Sequence, residues 1–112
     1  MKILIIDPDE YYHELFRNNV ADAAELFFSQ TETQALEMLD LPPDLIVSEL
    51  IFNDGHAYNF FPKIRNIPFI VYTKIGHLED VESSLSLGAS AYLVKGHDSI
   101  NDIKKLILSY AI

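Results

Sequence analysis

Short apolar blocks alternate with amphipathic stretches along the chain. Residues 2–6 place four apolar residues in a row, three of them β-branched, before Asp7-Pro8 ends the run. That pattern predicts a strand buried on both faces. A helix is expected over 9–18, with Tyr12, Leu15 and Phe16 on one face. Ala24–Phe28 reads as a weaker strand. Thr31–Asp40 reads as a helix carrying Ala35, Leu36 and Leu39 on a common face, and Pro42-Pro43 stops it. Leu45–Ser48 is a short apolar strand, and Asn53-Asp54-Gly55 marks a turn. A brief helix is expected over Tyr58–Ile64, made irregular by Pro62. Pro68 leads into a strand over Phe69–Tyr72. Leu78–Leu87 forms the fourth expected helix, with Gly88 at its C-terminal cap. Ala91–Val94 is the fifth strand and Ile100–Ala111 the fifth helix. Ser99 and Asp102 at its start resemble a capping box, and Ile100, Ile103, Leu106, Ile107 and Tyr110 form its buried stripe.

Strand and helix thus alternate five times. Short connections of this kind favour one parallel sheet with helices on both faces, a flavodoxin-like (βα)5 arrangement. Near-continuous apolar strands agree, because such a sheet is covered on both sides. No repeat, linker or low-complexity segment interrupts the pattern, so residues 1–112 read as one domain. The chain ends just past the last helix, as expected of a module without its own output domain.

Composition narrows the function. At 49% hydrophobic, the 112 residues can build one packed core. Seventeen acids against eight bases leave a net charge of −9, which repels phosphate backbones and anionic membrane surfaces. Direct nucleic-acid or membrane binding is therefore not expected, whereas partners with basic patches suit the surface. No apolar run approaches the roughly 20 residues that span a bilayer. The apolar block at the start is too short for a signal peptide. Cysteine is absent, which fits a reducing compartment. A soluble, cytoplasmic protein is the expectation.

In an open parallel sheet, ligands gather where the strands end. Strand one ends at Asp7, with Asp9 and Glu10 behind it; strand three at Ser48-Glu49; strand four at Thr73-Lys74; strand five at Lys95. One rim would then collect carboxylates, a hydroxyl and an ammonium. Carboxylates are hard ligands suited to Mg²⁺. A lysine and a threonine can bind phosphoryl oxygens. The set suits phosphoryl chemistry on a carboxylate.

These same residues carry a family resemblance. Ile-Leu-Ile-Ile-Asp at 3–7, Pro-Asp-Leu-Ile-Val-Ser-Glu at 43–49, Val-Tyr-Thr at 71–73 and Gly-Ala-Ser-Ala-Tyr-Leu-Val-Lys at 88–95 resemble the four signature segments of response-regulator receiver domains. Their order and spacing match over essentially the whole chain. The resemblance implies the CheY-like form of the flavodoxin-like fold and a role in two-component signalling. It implies that Glu49 stands at the phospho-acceptor position, where the family has aspartate. By the same resemblance Thr73 and Tyr92 are the switch residues, Lys95 contacts the phosphoryl group, and Asp7 and Glu49 would share a weakened Mg²⁺ site. Pro8 replaces the second acid of the family's acidic pair. Gly96 replaces the proline after the lysine, and the loop after strand three is short.

Glu49 admits three readings: a structural partner of Lys95, a built-in mimic of the modified state, or a true acceptor. Its extra methylene matters because phosphoryl transfer needs an in-line oxygen, and a misplacement near 1 Å costs roughly a hundredfold. The expected function is an atypical receiver acting as a signalling or protein-interaction module. The alternative is a phospho-switch using Glu49, Mg²⁺ and a partner histidine kinase. Leu78, Val81 and Leu85 share a face of the fourth helix, with Leu87 off it, and Leu108 and Ile112 lie off the core stripe of the fifth; they either finish the core or form a surface for a partner or a second copy. His56, His77 and His97 fall in three rim loops and with Glu49 could bind a transition metal, but their spacing matches no local metal motif and loop histidines are usually just solvated. Tyr11 and Tyr12 read as helix packing. A flavin or nucleotide binder fits poorly, since Asp7-Pro8-Asp9-Glu10 offers no phosphate cradle. No cysteine or serine-elbow motif suggests an enzyme.

Overall fold

A computed structural model describes residues 1–64 and 66–110. Its strands are β1 (Lys2–Ile6), β2 (Glu25–Ser29), β3 (Leu45–Ser48), β4 (Ile51–Phe52), β5 (Gly55–His56), β6 (Phe69–Thr73) and β7 (Ala91–Val94). Its α-helices are α1 (Glu10–Val20), α2 (Glu32–Met38), α3 (Leu78–Ser86) and α4 (Ile100–Leu108). Five strands make one parallel sheet in the order β2-β1-β3-β6-β7, so the winding direction reverses between β1 and β3.

The sheet is buried on both faces, which is why its central strands are apolar throughout. On one face Ile3, Ile5, Leu45, Val47, Ile70 and Tyr72 pack with Tyr12, Phe16 and Val20 of α1 and Ile103 and Ile107 of α4. On the other, Leu4, Ile6, Ile46 and Val71 pack with Ala35 of α2 and with Phe60, Phe61 and Ile64.

The predicted third helix is the main difference. Residues 57–64 form two short 3₁₀ turns, Ala57–Asn59 and Phe61–Ile64, rather than an α-helix. Pro62 supplies no N–H and crowds the preceding turn, so an α-helical ladder does not propagate. The described residues therefore form a five-stranded parallel sheet with four α-helices, and the expected fourth and fifth helices are α3 and α4. The predicted turn at Asn53-Asp54-Gly55 closes a small antiparallel hairpin of β4 and β5. Its Asp54 carboxylate accepts the N–H groups of Glu32 and Thr33 at 2.8 and 3.2 Å, pinning the start of α2.

Helix ends follow local chemistry. Asp9 caps α1 through the Tyr11 N–H, and Val20, buried on the apolar face, extends that helix beyond the expected Asn18. Thr31 caps α2 through Gln34 N–H. The Ser99–Asp102 capping box on α4 is complete. Gly88 follows α3 with φ +109°, a backbone conformation that side-chain-bearing residues avoid. The predicted helix end at Ala111 and the surface position Ile112 lie outside the described residues. No described helix is long and apolar enough to cross a membrane.

Candidate functional site

The strand ends meet at one rim because parallel strands share a direction. The ladder continues one residue past each strand. Asp7 N–H donates to Ser29 O at 2.9 Å, Glu49 N–H to Ile6 O at 2.8 Å, and Lys95 N–H to Thr73 O at 2.8 Å. Asp7 and Glu49 therefore flank the crevice between β1 and β3, where the sheet reverses and where ligands of such folds collect.

Four of the five sequence-predicted residues converge there. Lys95 Nζ lies 2.6 Å from Asp7 Oδ2 and 3.5 Å from Glu49 Oε2. The Lys95 and Asp7 side chains are 4% and 5% exposed, so solvent screens this pair little. Thr73 Oγ1 donates to Glu49 Oε1 at 2.7 Å. The longer contact from Lys95 to Oε2 is Coulombic rather than a hydrogen bond, and Oε2 has no hydrogen-bond donor among the described residues. Burial pushes the Glu49 carboxyl above its ordinary value; the Lys95 charge and the Thr73 hydroxyl act the other way, and the Asp7 charge adds to the rise.

Tyr92, the fifth residue, connects indirectly. Its hydroxyl donates to the Ile75 carbonyl, while Ile75 N–H donates to Thr73 Oγ1 at 3.3 Å. Glu49, Thr73, Ile75 and Tyr92 thus form one hydrogen-bonded chain. Burial raises the Tyr92 hydroxyl to about 12, so it remains a donor.

Two neighbours escaped the sequence reading. The sequence pattern gives Tyr12 a packing role alone, yet its ring centroid lies 3.8 Å from Lys95 Nζ. A cation over an aromatic face is attracted by the ring quadrupole, so Tyr12 helps hold the ammonium in place. His13 is buried, and its Nε2 lies 2.7 Å from the Asp7 carbonyl oxygen, fixing the backbone that presents the Asp7 carboxylate. A polar residue on the buried side of an amphipathic helix was the available signal for His13. For Tyr12 the signal was only that a rim lysine needs a partner.

Other candidates lie apart. Asp9 spends its carboxylate on the Tyr11 N–H, and its own N–H donates to Asp7 Oδ1 at 2.9 Å. Glu10 is exposed on α1. His56, His77 and His97 are exposed, and among the described residues no group of three His, Asp or Glu side chains lies in metal-binding range. The Lys95–Gly96 peptide is trans, and Gly96 has φ +85°. Leu78, Leu85 and Leu108 are exposed on α3 and α4 while Val81 is half-buried.

No protein-family model matches the sequence, and no curated protein is significantly similar to it. Solved structures are another matter. A two-component response regulator from Clostridium difficile superposes with TM-score 0.92 at 23% identity, covering 99% of this chain and 95% of that one. A CheY-like response-regulator receiver-domain protein from Methanospirillum hungatei gives 0.85 at 20% identity, over 98% and 93%. The phosphorylated cyanobacterial phytochrome response regulator RcpA gives 0.86 at 17% identity, over 98% and 93%. With its five-stranded parallel sheet and its rim of Asp7, Glu49, Thr73 and Lys95, the chain has the CheY-like fold of the response-regulator receiver domains.

Proposed function

We propose that the chain is a signalling receiver module in which Glu49 takes the part of a phosphorylated aspartate and the output is binding to a partner protein. One observation carries this reading. The Glu49 carboxylate engages the hydroxyl of Thr73 and faces the ammonium of Lys95, the two groups that the family resemblance assigns to the phosphoryl oxygens. The added methylene of glutamate lets the carboxylate reach them without any modification. Through Thr73 and Ile75 the same contact extends to Tyr92, whose hydroxyl donates to the Ile75 carbonyl. On this reading Thr73 and Tyr92 keep one arrangement at all times, and regulation lies in the supply of the partner.

The rim does not fit Mg²⁺. That ion takes about six oxygens at close to 2.0–2.1 Å. Asp7 Oδ2 is held by Lys95 and Oδ1 by the Asp9 N–H, and Pro8 brings no carboxylate. Lys95, sandwiched between two carboxylates and Tyr12, already supplies the positive charge. Asp7 then serves as the seat of Lys95 rather than as a metal ligand.

A phospho-switch fed by a histidine kinase is the second reading. It is favoured by Glu49 Oε2, an oxygen with no hydrogen-bond donor among the described residues. Amide spectra of the native protein and of Glu49→Ala separate the two. If Glu49 holds the switch, its removal moves the Thr73, Ile75 and Tyr92 signals together. Changes confined to the immediate neighbours of residue 49, with Tyr92 unmoved, would argue that the aromatic is set independently and that the resting switch awaits a phosphoryl group.

A further inference from the structure

At the end of the sheet opposite the rim, α2 leaves part of its face uncovered. The helix has seven residues and rises about 10 Å, whereas the five-residue strands β1 and β2 beneath it extend about 16 Å. Pro42-Pro43 prevent it from running further. What remains is an open groove of about 230 Å³ between the first half of β1, the middle of β2, the end of α2 and the chain that follows it, with Leu4, Phe27, Met38, Leu41 and Pro43 in its apolar lining. Leu41 is 78% exposed and Phe27 37%, so two exposed large apolar side chains meet at one place.

The charge around this groove runs against local helix electrostatics. The C-terminus of a helix carries partial negative charge and favours cations. The last turn of α2 has no basic residue, and it is Glu37 and Asp40 that line the groove there. Neither has a cationic partner among the described residues. Among the described residues Lys2 is the one cation in the lining. An arrangement that opposes a local rule without a visible compensation within the fold points to a compensation from outside it.

We propose that this groove docks a segment of a partner protein in which one large apolar side chain is flanked by lysine or arginine. The groove is smaller than the roughly 300–1,000 Å³ of small-molecule sites, and its size suits one or two side chains. An apolar anchor in a small pocket with charges at its rim is how protein interfaces concentrate affinity. The net charge of −9 selects for a basic partner and against a second copy or an anionic bilayer. This inference is independent of the Glu49 reading, because the groove lies at the far end of the strands.

The test uses ¹⁵N-labelled full chain and a capped peptide, Lys-Lys-Leu-Phe-Lys-Lys, beside its counterpart Glu-Glu-Leu-Phe-Glu-Glu. The basic peptide is expected to move the amide signals of Phe27, Met38 and Leu41 saturably while Thr73 and Lys95 stay put. The acidic peptide is expected to do nothing. Leu41→Ser, an exposed change that leaves the core intact, should abolish saturation. Glu37→Lys and Asp40→Lys should each weaken binding by roughly fivefold, the upper range for a surface charge pair. Shifts scattered over every acidic surface, or undiminished by Leu41→Ser, would overturn the proposal. So would self-association or binding to anionic vesicles that Leu41→Ser removes, since these would assign the groove to a second copy or a membrane surface.

Discussion

Replacing Lys95 by Met keeps the length and packing of the side chain and deletes its charge. The ammonium sits 2.6 Å from Asp7 and 3.5 Å from Glu49, with side-chain exposures of 4%, 5% and 12% for the three residues. Removing one partner from a buried ionic group leaves the others uncompensated and typically costs about 3–5 kcal/mol. Loss of the contact with the Tyr12 ring adds about 0.5–2 kcal/mol. Part of this is recovered because Glu49, already displaced upward by burial, can take up a proton. A net loss of about 3 kcal/mol at pH 7 follows, a large share of the roughly 5–15 kcal/mol of a domain this size. With a urea m-value of about 1.5 kcal/mol/M, the midpoint should fall by about 2 M. Urea unfolding followed by far-UV circular dichroism measures this directly. The deficit should shrink on acidification, because burial already favours the protonated form of Glu49 and taking up that proton relieves the uncompensated charge. A loss below about 1 kcal/mol at pH 7, or one that grows on acidification, would refute the buried three-residue charge cluster.

Other consequences are equally specific. The folded state holds the Glu49 proton more tightly than the unfolded chain, so its contribution is complete below the ordinary value of 4.5 and is lost as pH rises through the elevated folded value. Glu49→Gln should therefore gain stability relative to the native protein between pH 4 and pH 8 in the same unfolding assay; a relative loss with rising pH would contradict the burial argument. Tyr12→Phe should change the unfolding free energy by less than about 0.5 kcal/mol, while Tyr12→Leu, which removes the ring under Lys95, should cost about 1–3 kcal/mol. Gly96→Ala should cost about 1–2 kcal/mol through backbone strain alone, because φ is +85° and nothing lies within 4 Å of the added methyl. Gly96→Pro should cost more than Gly96→Ala, since proline is locked near −65°.

Apolar runs carried most of the fold. The bounds of β1, β3 and β7 follow from residues 2–6, 45–48 and 91–94 because a doubly covered strand has no polar face to blur its ends. The rim was readable for a related reason. Once the strands are parallel, Asp7, Glu49, Thr73 and Lys95 must share an edge whatever the helices do. Features that depend on helix rotation were not readable in this way. That the Tyr12 ring lies beneath Lys95 depends on how α1 is rolled against the sheet, and on that helix only the packing of the ring has a periodic signature. On α3 the fully buried position is Ser84, whereas Leu78 and Leu85 are exposed, so apolar spacing marked a surface rather than a core stripe. The β4–β5 hairpin is too short, at two residues a strand, for any alternation to register. Pro62 foreshadowed the irregularity of residues 57–64 but not its division into two 3₁₀ turns.

The central claim is that Glu49 stands in for a phosphoryl group instead of receiving one. Intact mass after incubation with a small phosphoryl donor and Mg²⁺ tests it most directly, with Glu49→Gln as the control. The native protein is expected to keep its mass, as the control does. A native protein that gains one phosphoryl group, while Glu49→Gln does not, would contradict the account and make Glu49 a working acceptor.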